Sequence, residues 1–266
     1  MLCISLILVI LIRTVMEENE KQSVIEQQRE LINEKNKASV ENSPRPTKDE
    51  AVSNGDVTGK PEIICEYTTL FKENSDLIGW LKIEDTVIDY PVMQTMGDET
   101  YYLYRDFYKK DNKNGCLLMD TDSSVGVGTV KDNYKDGMKP STNLIIHGHN
   151  MRSGQMFGNL KLYKKEDYGR KHNIIYFDSL YEKREYELIA VFYSQVFYKN
   201  EDVFKYYKFF QADTKEEFDN WYTNIKEMSL YDTGITAKLG DEFITLSCCS
   251  NHVEDGRFVV VGKRIK

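Results

Sequence analysis

The chain has four histidines, His147, His149, His172 and His252, and two of them fall in the run LIIHGHNM over residues 144–151. An apolar strand here runs into Gly148, which releases the backbone and opens a loop. A histidine at the end of such a strand is held by a rigid element and still reached by solvent. His147 lies two residues before His149 and shares its face while the strand stays extended. A second group stands in FITLSCCSNH over residues 243–252. Strand alternation puts Ile244, Leu246 and Cys248 on one side and Thr245, Ser247 and Cys249 on the other. The side with Ile and Leu is the core side, so Cys248 packs as a small apolar residue. Cys249 faces the polar side and is the better nucleophile. After a short loop, RFVVVGK over residues 257–263 reads as a neighbouring strand that brings Arg257 beside Cys249.

A thiol, an imidazole and a guanidinium form a coherent set for acyl transfer. Only the thiolate attacks, and a nearby cation favours it. The imidazole can protonate a leaving amine and deprotonate an incoming one. The guanidinium stays charged and can donate to a developing oxyanion. Two other readings of the same residues stand beside this one. His147, His149, Cys248, Cys249 and His252 are soft metal donors, although adjacent strand cysteines point to opposite faces and share one ion poorly. Cys248 and Cys249 can also be purely structural, as buried thiols or a strained vicinal disulfide.

Several short strands must position these groups. Beyond the three already named, candidates open at DLIGW over 76–80, alternate at Ile88, Tyr90 and Val92, and recur at 115–119, 174–177 and 185–193. Pro91 restricts its strand to an edge or an end. This pattern of strands and turns indicates a barrel or sandwich. A helix interrupts it: Thr214 and Glu217 form a capping box, and Phe218, Trp221, Ile225 and Met228 follow at helical spacing as a core stripe. Pro61 fits the first turn of a short helix to Phe71, with Ile64, Tyr67, Thr68 and Phe71 on one face. Residues 121–142 are rich in Gly, Asp and Ser and read as a long surface loop.

Composition limits the function further. The 266 residues carry a net charge of -8, too acidic for a phosphate-backbone binder, so no nucleic-acid partner is expected. Five cysteines are too few for a disulfide scaffold. No aromatic residue precedes Tyr67, so a globular domain is expected over 61–266. Residues 1–16 form a hydrophobic, anchor-like segment containing LILVILI, broken by Arg13. As written it is shorter than the roughly 20 apolar residues that span a bilayer. Read blandly it is a frayed apolar terminus; read functionally it is the end of a signal-anchor. Residues 17–60 read as a polar, solvated helix with a thin seam at Val24, Leu31 and Ile32, followed from about Asn36 by a flexible spacer.

Together the residues resemble a class B sortase, a membrane-tethered cysteine transpeptidase of Gram-positive bacteria. The resemblance runs from Asn74 to Lys266 through NSDLIGWL at 74–81, TVIDYPVMQ at 86–94, YLYRDF at 102–107, GCLLMD at 115–120, GHNM at 148–151, MFGNL at 156–160, TLSCC at 245–249 and Arg257 with its valines. It implies a mainly β, α+β fold: an eight-stranded barrel with N-terminal helices and one long helix before the cysteine strand. It implies catalysis by Cys249, His149 and Arg257, with Ser247 and Leu103 lining the substrate groove. It implies cleavage of a C-terminal sorting signal after Thr, a thioester on Cys249, and transfer to an amine of the cell-wall peptidoglycan or its lipid-linked precursor. The substrates would be surface proteins, and the catalytic domain would lie outside the cell, held by a single-pass N-terminal anchor. No cofactor or metal is implied, and no carboxylate cage for calcium is evident. The sequence departs from the family where Cys248 replaces the usual Thr, where His147 replaces a common aromatic, and where Glu99 replaces Asn. A hydrolytic cysteine peptidase and a non-catalytic binding module on the same scaffold are the alternative functions.

Overall fold

The computed structural model describes residues 2–41, 61–131, 133, 134 and 137–266. Helix α1 spans Leu2–Glu41 and α2 spans Cys65–Glu73. Strands follow at β1 Leu77–Lys82, β2 Asp89–Met93, β3 Leu117–Met119 and β4 Asn143–Gly148. A short helix α3, Glu166–Lys171, leads into β5 Ile174–Ser179 and β6 Lys183–Gln195. Helix α4, Lys215–Met228, then precedes β7 Phe243–Cys249 and β8 Gly256–Arg264. The eight strands close into one barrel in the order β1-β2-β3-β4-β7-β8-β6-β5. The expected α+β architecture, with a long helix before the cysteine strand, is what the chain adopts.

Closure accounts for Pro91. The strand β2 is not an edge, since β1 and β3 flank it. Ile83 N–H donates to Ile88 O, so by antiparallel alternation the nitrogen of Pro91 faces away from β1. On that side β3 joins only from Val92, so no ladder bond is lost.

The barrel is buried on both sides. Leu81, Val92, Leu144, Ile146, Phe177, Ile244, Leu246 and Val260 fill its interior. Outside, α4 lays Phe218, Trp221 and Ile225 against Phe243, Val259 and Val261, with Met228 at the margin. The helix starts where the capping box predicts: Glu217 N–H donates to Thr214 Oγ1 at 3.2 Å and Thr214 N–H to Glu217 Oε2 at 3.0 Å. A second outer layer holds Tyr67, Leu70, Leu77, Trp80 and Met93.

Both N-terminal helices differ from expectation in instructive ways. Residues 61–64 are not helical, because Ile64 N–H donates to Leu180 O at 2.7 Å and holds the chain against the β5–β6 turn. The buried face of α2 is Tyr67 and Leu70, one step from the stripe read from the sequence. The polar helix is not surrounded by solvent either. Val24, Leu31 and Ala38, seven residues apart, are buried, and Gln27 donates to Asp106 Oδ2 at 2.9 Å. Gln28 donates to Val87 O and Asp89 O, and the Lys35 ammonium sits 4.4 Å from the Trp80 ring. Polar partners on the barrel replace the apolar face that the sequence lacked. The helix also runs past Asn36 to Glu41, and the rest of the expected spacer, 42–60, lies outside the described residues. At the other end of α1, Ile7, Leu8, Ile10, Leu11, Ile12, Val15 and Met16 are exposed. Among the described residues no helix is long and apolar enough to cross a membrane.

Among its described residues the expected long loop between β3 and β4 forms no strand, and Val127 and Met138 make an isolated bridge. Buried charges tie it down. Glu182 accepts from Val130 N–H at 2.8 Å, from Arg184 Nε at 3.0 Å and from Arg264 Nη2 at 2.8 Å. Arg184 also donates to Val125 O, and Arg264 pairs with Glu242. Burial pushes the Glu182 carboxyl up, but these donors outweigh it and hold it below the usual carboxylate range. A depressed carboxyl adds stability that is complete above its unfolded pKa and is lost as pH falls through its folded one. Glu182→Ala should therefore cost about 3 kcal/mol or more in urea unfolding at pH 7, because it leaves the buried Arg184 without its carboxylate and takes one of two from Arg264. Glu182→Gln should show a shallower loss of stability than the wild type on acidification below about pH 4.5, the ordinary value for Glu.

Candidate active site

Two strand pairings assemble the site. The parallel pair β4–β7 runs in register from Asn143↔Phe243 through His147↔Ser247 to Gly148↔Cys248. The antiparallel pair β7–β8 ends at Cys249↔Arg257. Neighbouring strands lie about 4.8 Å apart. Cys249 therefore stands at the end of the middle strand, with Arg257 directly opposite on β8. His149, the residue after Gly148, follows the register on the β4 side.

Parity separates the two cysteines. Cys248 points into the barrel and is 2% exposed, whereas Cys249 is exposed; both are free thiols. Burial, with the neighbouring Cys249 sulfur, pushes the Cys248 thiol up to about 12. The same alternation aims Thr245 and Ser247 away from the interior, but they do not face solvent. Both are buried: Ser247 Oγ lies 2.7 Å from Tyr206 OH, on the stretch that precedes α4, and Thr245 Oγ1 donates to Asn143 Oδ1 on β4. Ser247, expected along a substrate groove, is thus covered by a tyrosine, and only Cys249 on that face emerges.

His149 is held on three sides. Its Nε2 lies 2.8 Å from Leu103 O, on the short helical turn Tyr101–Tyr104, and the Tyr104 ring centroid is 5.6 Å from the imidazole centroid. A carbonyl can only accept, so Nε2 carries the proton in this contact, while Nδ1 makes no hydrogen bond to the described residues. The His149 carbonyl accepts from Met151 N–H and Phe157 N–H, which folds the following loop back on it. Leu103, expected in the groove, thus meets the imidazole through its backbone. Asn150 donates from Nδ2 to Cys249 O at 2.8 Å and ties the two strand ends together. No sequence signal marked the roles of Asn150 or the Leu103 carbonyl, because both are tertiary contacts.

The glycine between the two histidines has a packing reason. A Cβ on Gly148 would come within 2.6 Å of Leu117 and Phe157. Gly256 is required for the same kind of reason: a Cβ there would lie 2.3 Å from Ser250 O, the carbonyl that starts the β7–β8 turn. Ser250 N–H donates to Gly256 O across that turn at 2.8 Å. Arg257 Nη1 donates to Asp255 O and Gly256 O, while Nε and Nη2 make no hydrogen bond to the described residues.

The remaining histidines sit elsewhere. His147 Nε2 lies 3.2 Å from Asp120 Oδ2. His252 is exposed, beside Ser250 and the Tyr193 ring, and His172 is buried with Nδ1 on Glu84 O. Glu99 pairs with the Thr121 hydroxyl. Among the described residues no group of three or more His, Cys, Asp or Glu is arranged to hold a metal ion.

A closed barrel whose exposed Cys249 ends a strand next to the strand ends that carry His149 and Arg257 has the groups of a cysteine acyltransferase. The Sortase domain family model matches residues 81–265. The chain is 31% identical over 221 residues to Sortase B of Listeria monocytogenes serovar 1/2a, covering 82% of this chain and 80% of that protein. It is 26% identical over 204 residues to Sortase B of Staphylococcus aureus, covering 76% and 75%. Among solved structures it is similar to sortase B from B. anthracis in complex with AAEK1, with a TM-score of 0.66 and 26% identity over 92% of this chain and 99% of that one. The chain belongs to the sortase family and, within it, to the class B sortases, which are cysteine transpeptidases.

The contrast between the adjacent thiols is testable with an alkylating reagent. At pH 8 a thiol of pKa about 12 is thiolate in only about one molecule in ten thousand. Iodoacetamide should label Cys249 and the exposed Cys65 in the folded protein. Cys248 and Cys116 should react only after unfolding, as read by peptide mass spectrometry. Equal labelling of Cys248 and Cys249 would show the strand parity to be wrong.

Proposed function

We propose that Cys249 cleaves a C-terminal sorting signal after threonine and transfers the threonine acyl group to an amine of the cell-wall peptidoglycan or its lipid-linked precursor. The observation that carries this reading is the exposed Cys249 at the end of β7, flanked by His149 on the β4 side and Arg257 on β8. The Cys249 thiolate attacks the threonine carbonyl carbon, and Arg257 donates to the oxyanion that forms. The carbon–nitrogen bond then breaks, and the departing amine takes its proton from protonated His149 Nδ1. A thioester remains. The incoming amine attacks it, gives its proton to His149 Nδ1, and the thiolate leaves. The Leu103 carbonyl supports the role of Nδ1, because it occupies the other ring nitrogen.

The substrates in this reading are surface proteins that carry a sorting signal. Residues 1–16 hold the enzyme at the cell membrane as an N-terminal anchor, with the catalytic domain outside the cell. The exposed apolar residues from Ile7 to Met16 support that role.

Cys249→Ala should abolish cleavage of sorting-signal peptides and leave the unfolding midpoint unchanged, while Cys248→Ala should keep activity. The reverse outcome would overturn the assignment. His149→Ala should lower kcat by about 10²- to 10⁴-fold and Arg257→Ala by about 10²- to 10³-fold. Adding an amine acceptor should convert the product from free acid to amide by mass spectrometry; acid alone would indicate a hydrolytic peptidase.

A further inference from the structure

The loop that follows His149 carries one strained residue, and a buried hydroxyl helps to hold it. Met156 has a φ of 52°, in the left-handed region that a long side chain rarely occupies. Such a conformation persists only where its surroundings fix it. Met156 forms a backbone bridge with Asn150, and its N–H donates to the hydroxyl of Tyr90 at 3.2 Å. The same hydroxyl donates to Gln155 Oε1 at 2.9 Å. Gln155, Met156 and Phe157 are buried, so deleting that hydroxyl takes a partner from an N–H and an amide oxygen away from solvent.

Tyr90 stands on a stiff support. It alternates with Ile88 and Val92, and all three pack in the barrel interior. Its strand β2 is flanked by β1 and β3, and Gln28 of α1 donates to the carbonyl of the adjacent Asp89. Burial pushes the Tyr90 hydroxyl up to about 12, so at neutral pH it keeps the proton that it gives to Gln155. From Met156 the contacts return to His149 within one residue. Phe157 N–H donates to His149 O at 3.0 Å. The Phe157 ring packs so closely on Gly148 that an added Cβ there would come within 2.6 Å of it. Asn150, bridged to Met156, donates to Cys249 O at 2.8 Å. Residues 148–150 are thus braced by the segment that Tyr90 holds.

We propose that Tyr90 is a positioning residue for His149, a role that rests on the reading of His149 as the proton carrier and deepens it. The hydroxyl keeps Met156 in its left-handed turn. The turn sets Phe157, and Phe157 sets the backbone on both sides of the His149 side chain. The imidazole then keeps Nε2 on the Leu103 carbonyl and Nδ1 for the proton transfers. Tyr90 itself touches no substrate and moves no proton.

The experiment uses the whole chain and compares Tyr90→Phe with Tyr67→Phe. Each change deletes one buried tyrosine hydroxyl, and that of Tyr67 serves Asp178 Oδ2 in the outer layer, away from the loop. Both variants should lower the urea midpoint. Only Tyr90→Phe should move the ring-nitrogen NMR resonances of His149. Only Tyr90→Phe should lower kcat on a sorting-signal peptide, by about ten- to a hundredfold with KM nearly unchanged, because a small misplacement of a reacting group acts on the chemical step. Rates are taken per folded molecule, counted by protection of Cys248 from iodoacetamide. Unmoved His149 resonances in Tyr90→Phe would overturn the proposal. With His149→Ala inactive, a kcat reduced no further than in Tyr67→Phe would also overturn it. Should Tyr90→Phe fail to fold, hydrogen exchange in the wild-type chain decides: the Met156 amide must be as protected as the amides of β2, and rapid exchange there overturns the proposal. If the resonances move while His149→Ala keeps full kcat, the placement by Tyr90 stands and the proton-transfer reading has failed.

Discussion

The hydrogen-bonded ladder that joins β4, β7 and β8 is the constraint from which the active end follows. Parallel pairing of β4 with β7 and antiparallel pairing of β7 with β8 are set by apolar residues well below the site, such as Leu144, Ile146, Ile244, Leu246 and Val260 in the barrel interior. A slip of one residue in β7 would expose Leu246 and Cys248's neighbours on the wrong face and turn Cys249 inward. The register is therefore fixed by burial, and the placement of Cys249 between His149 and Arg257 is a consequence of it. The thiol needs no local device to hold its strand in place; the Asn150 contact to its carbonyl only secures the last residue.

The same alternation makes two adjacent cysteines chemically unlike. Cys248 faces the packed interior, where a charged sulfur would have no solvent, and burial holds it as the neutral thiol. Cys249 faces out, beside a cation. The outer face of β7 is not uniformly polar, however. Its first three outward residues, Phe243, Thr245 and Ser247, are sealed by α4 and the stretch leading to it, and their hydroxyls are matched by Tyr206 and Asn143. A strand buried on both sides along most of its length, and open only at its last residue, presents a single reactive atom on a stiff support.

Much of this was legible in the sequence because it is written locally. Alternating Ile, Leu and Cys in β7 gave the parity of the two cysteines, and the Thr214–Glu217 pair marked the start of α4. What could not be read locally depends on partners distant in the chain. The burial of Ser247 requires Tyr206, some forty residues away. The docking of α1 depends on Asp106, Trp80 and the Val87 and Asp89 carbonyls, none of which its own apolar seam announces. Gly148 looked like a turn residue, whereas its lack of a side chain serves the contact with Leu117 and Phe157. Pro91 looked like an edge marker, whereas the late start of β3 makes room for it inside a closed barrel. In each case a residue's type was informative, and its reason lay in tertiary structure.

The two ends of the barrel divide the work between them. At one end Glu182, Glu242, Arg184 and Arg264 form a buried network that joins the first residues of β6, the last of β8, the approach to β7 and the loop between β3 and β4. Such a network is costly to desolvate and contributes less to stability than its geometry suggests. Its directional bonds do fix which segments meet, and all of them converge away from Cys249. The other end is then free to be built of loops and exposed side chains: the turn carrying Leu103 and Tyr104, the loop after His149, and the β7–β8 turn that Gly256 permits. The reaction proposed above needs room for an extended peptide and then a second substrate, and an end closed by packing would not give it. Concentrating the buried charges at the opposite end lets the end that carries Cys249, His149 and Arg257 stay open without loosening the strands that place them.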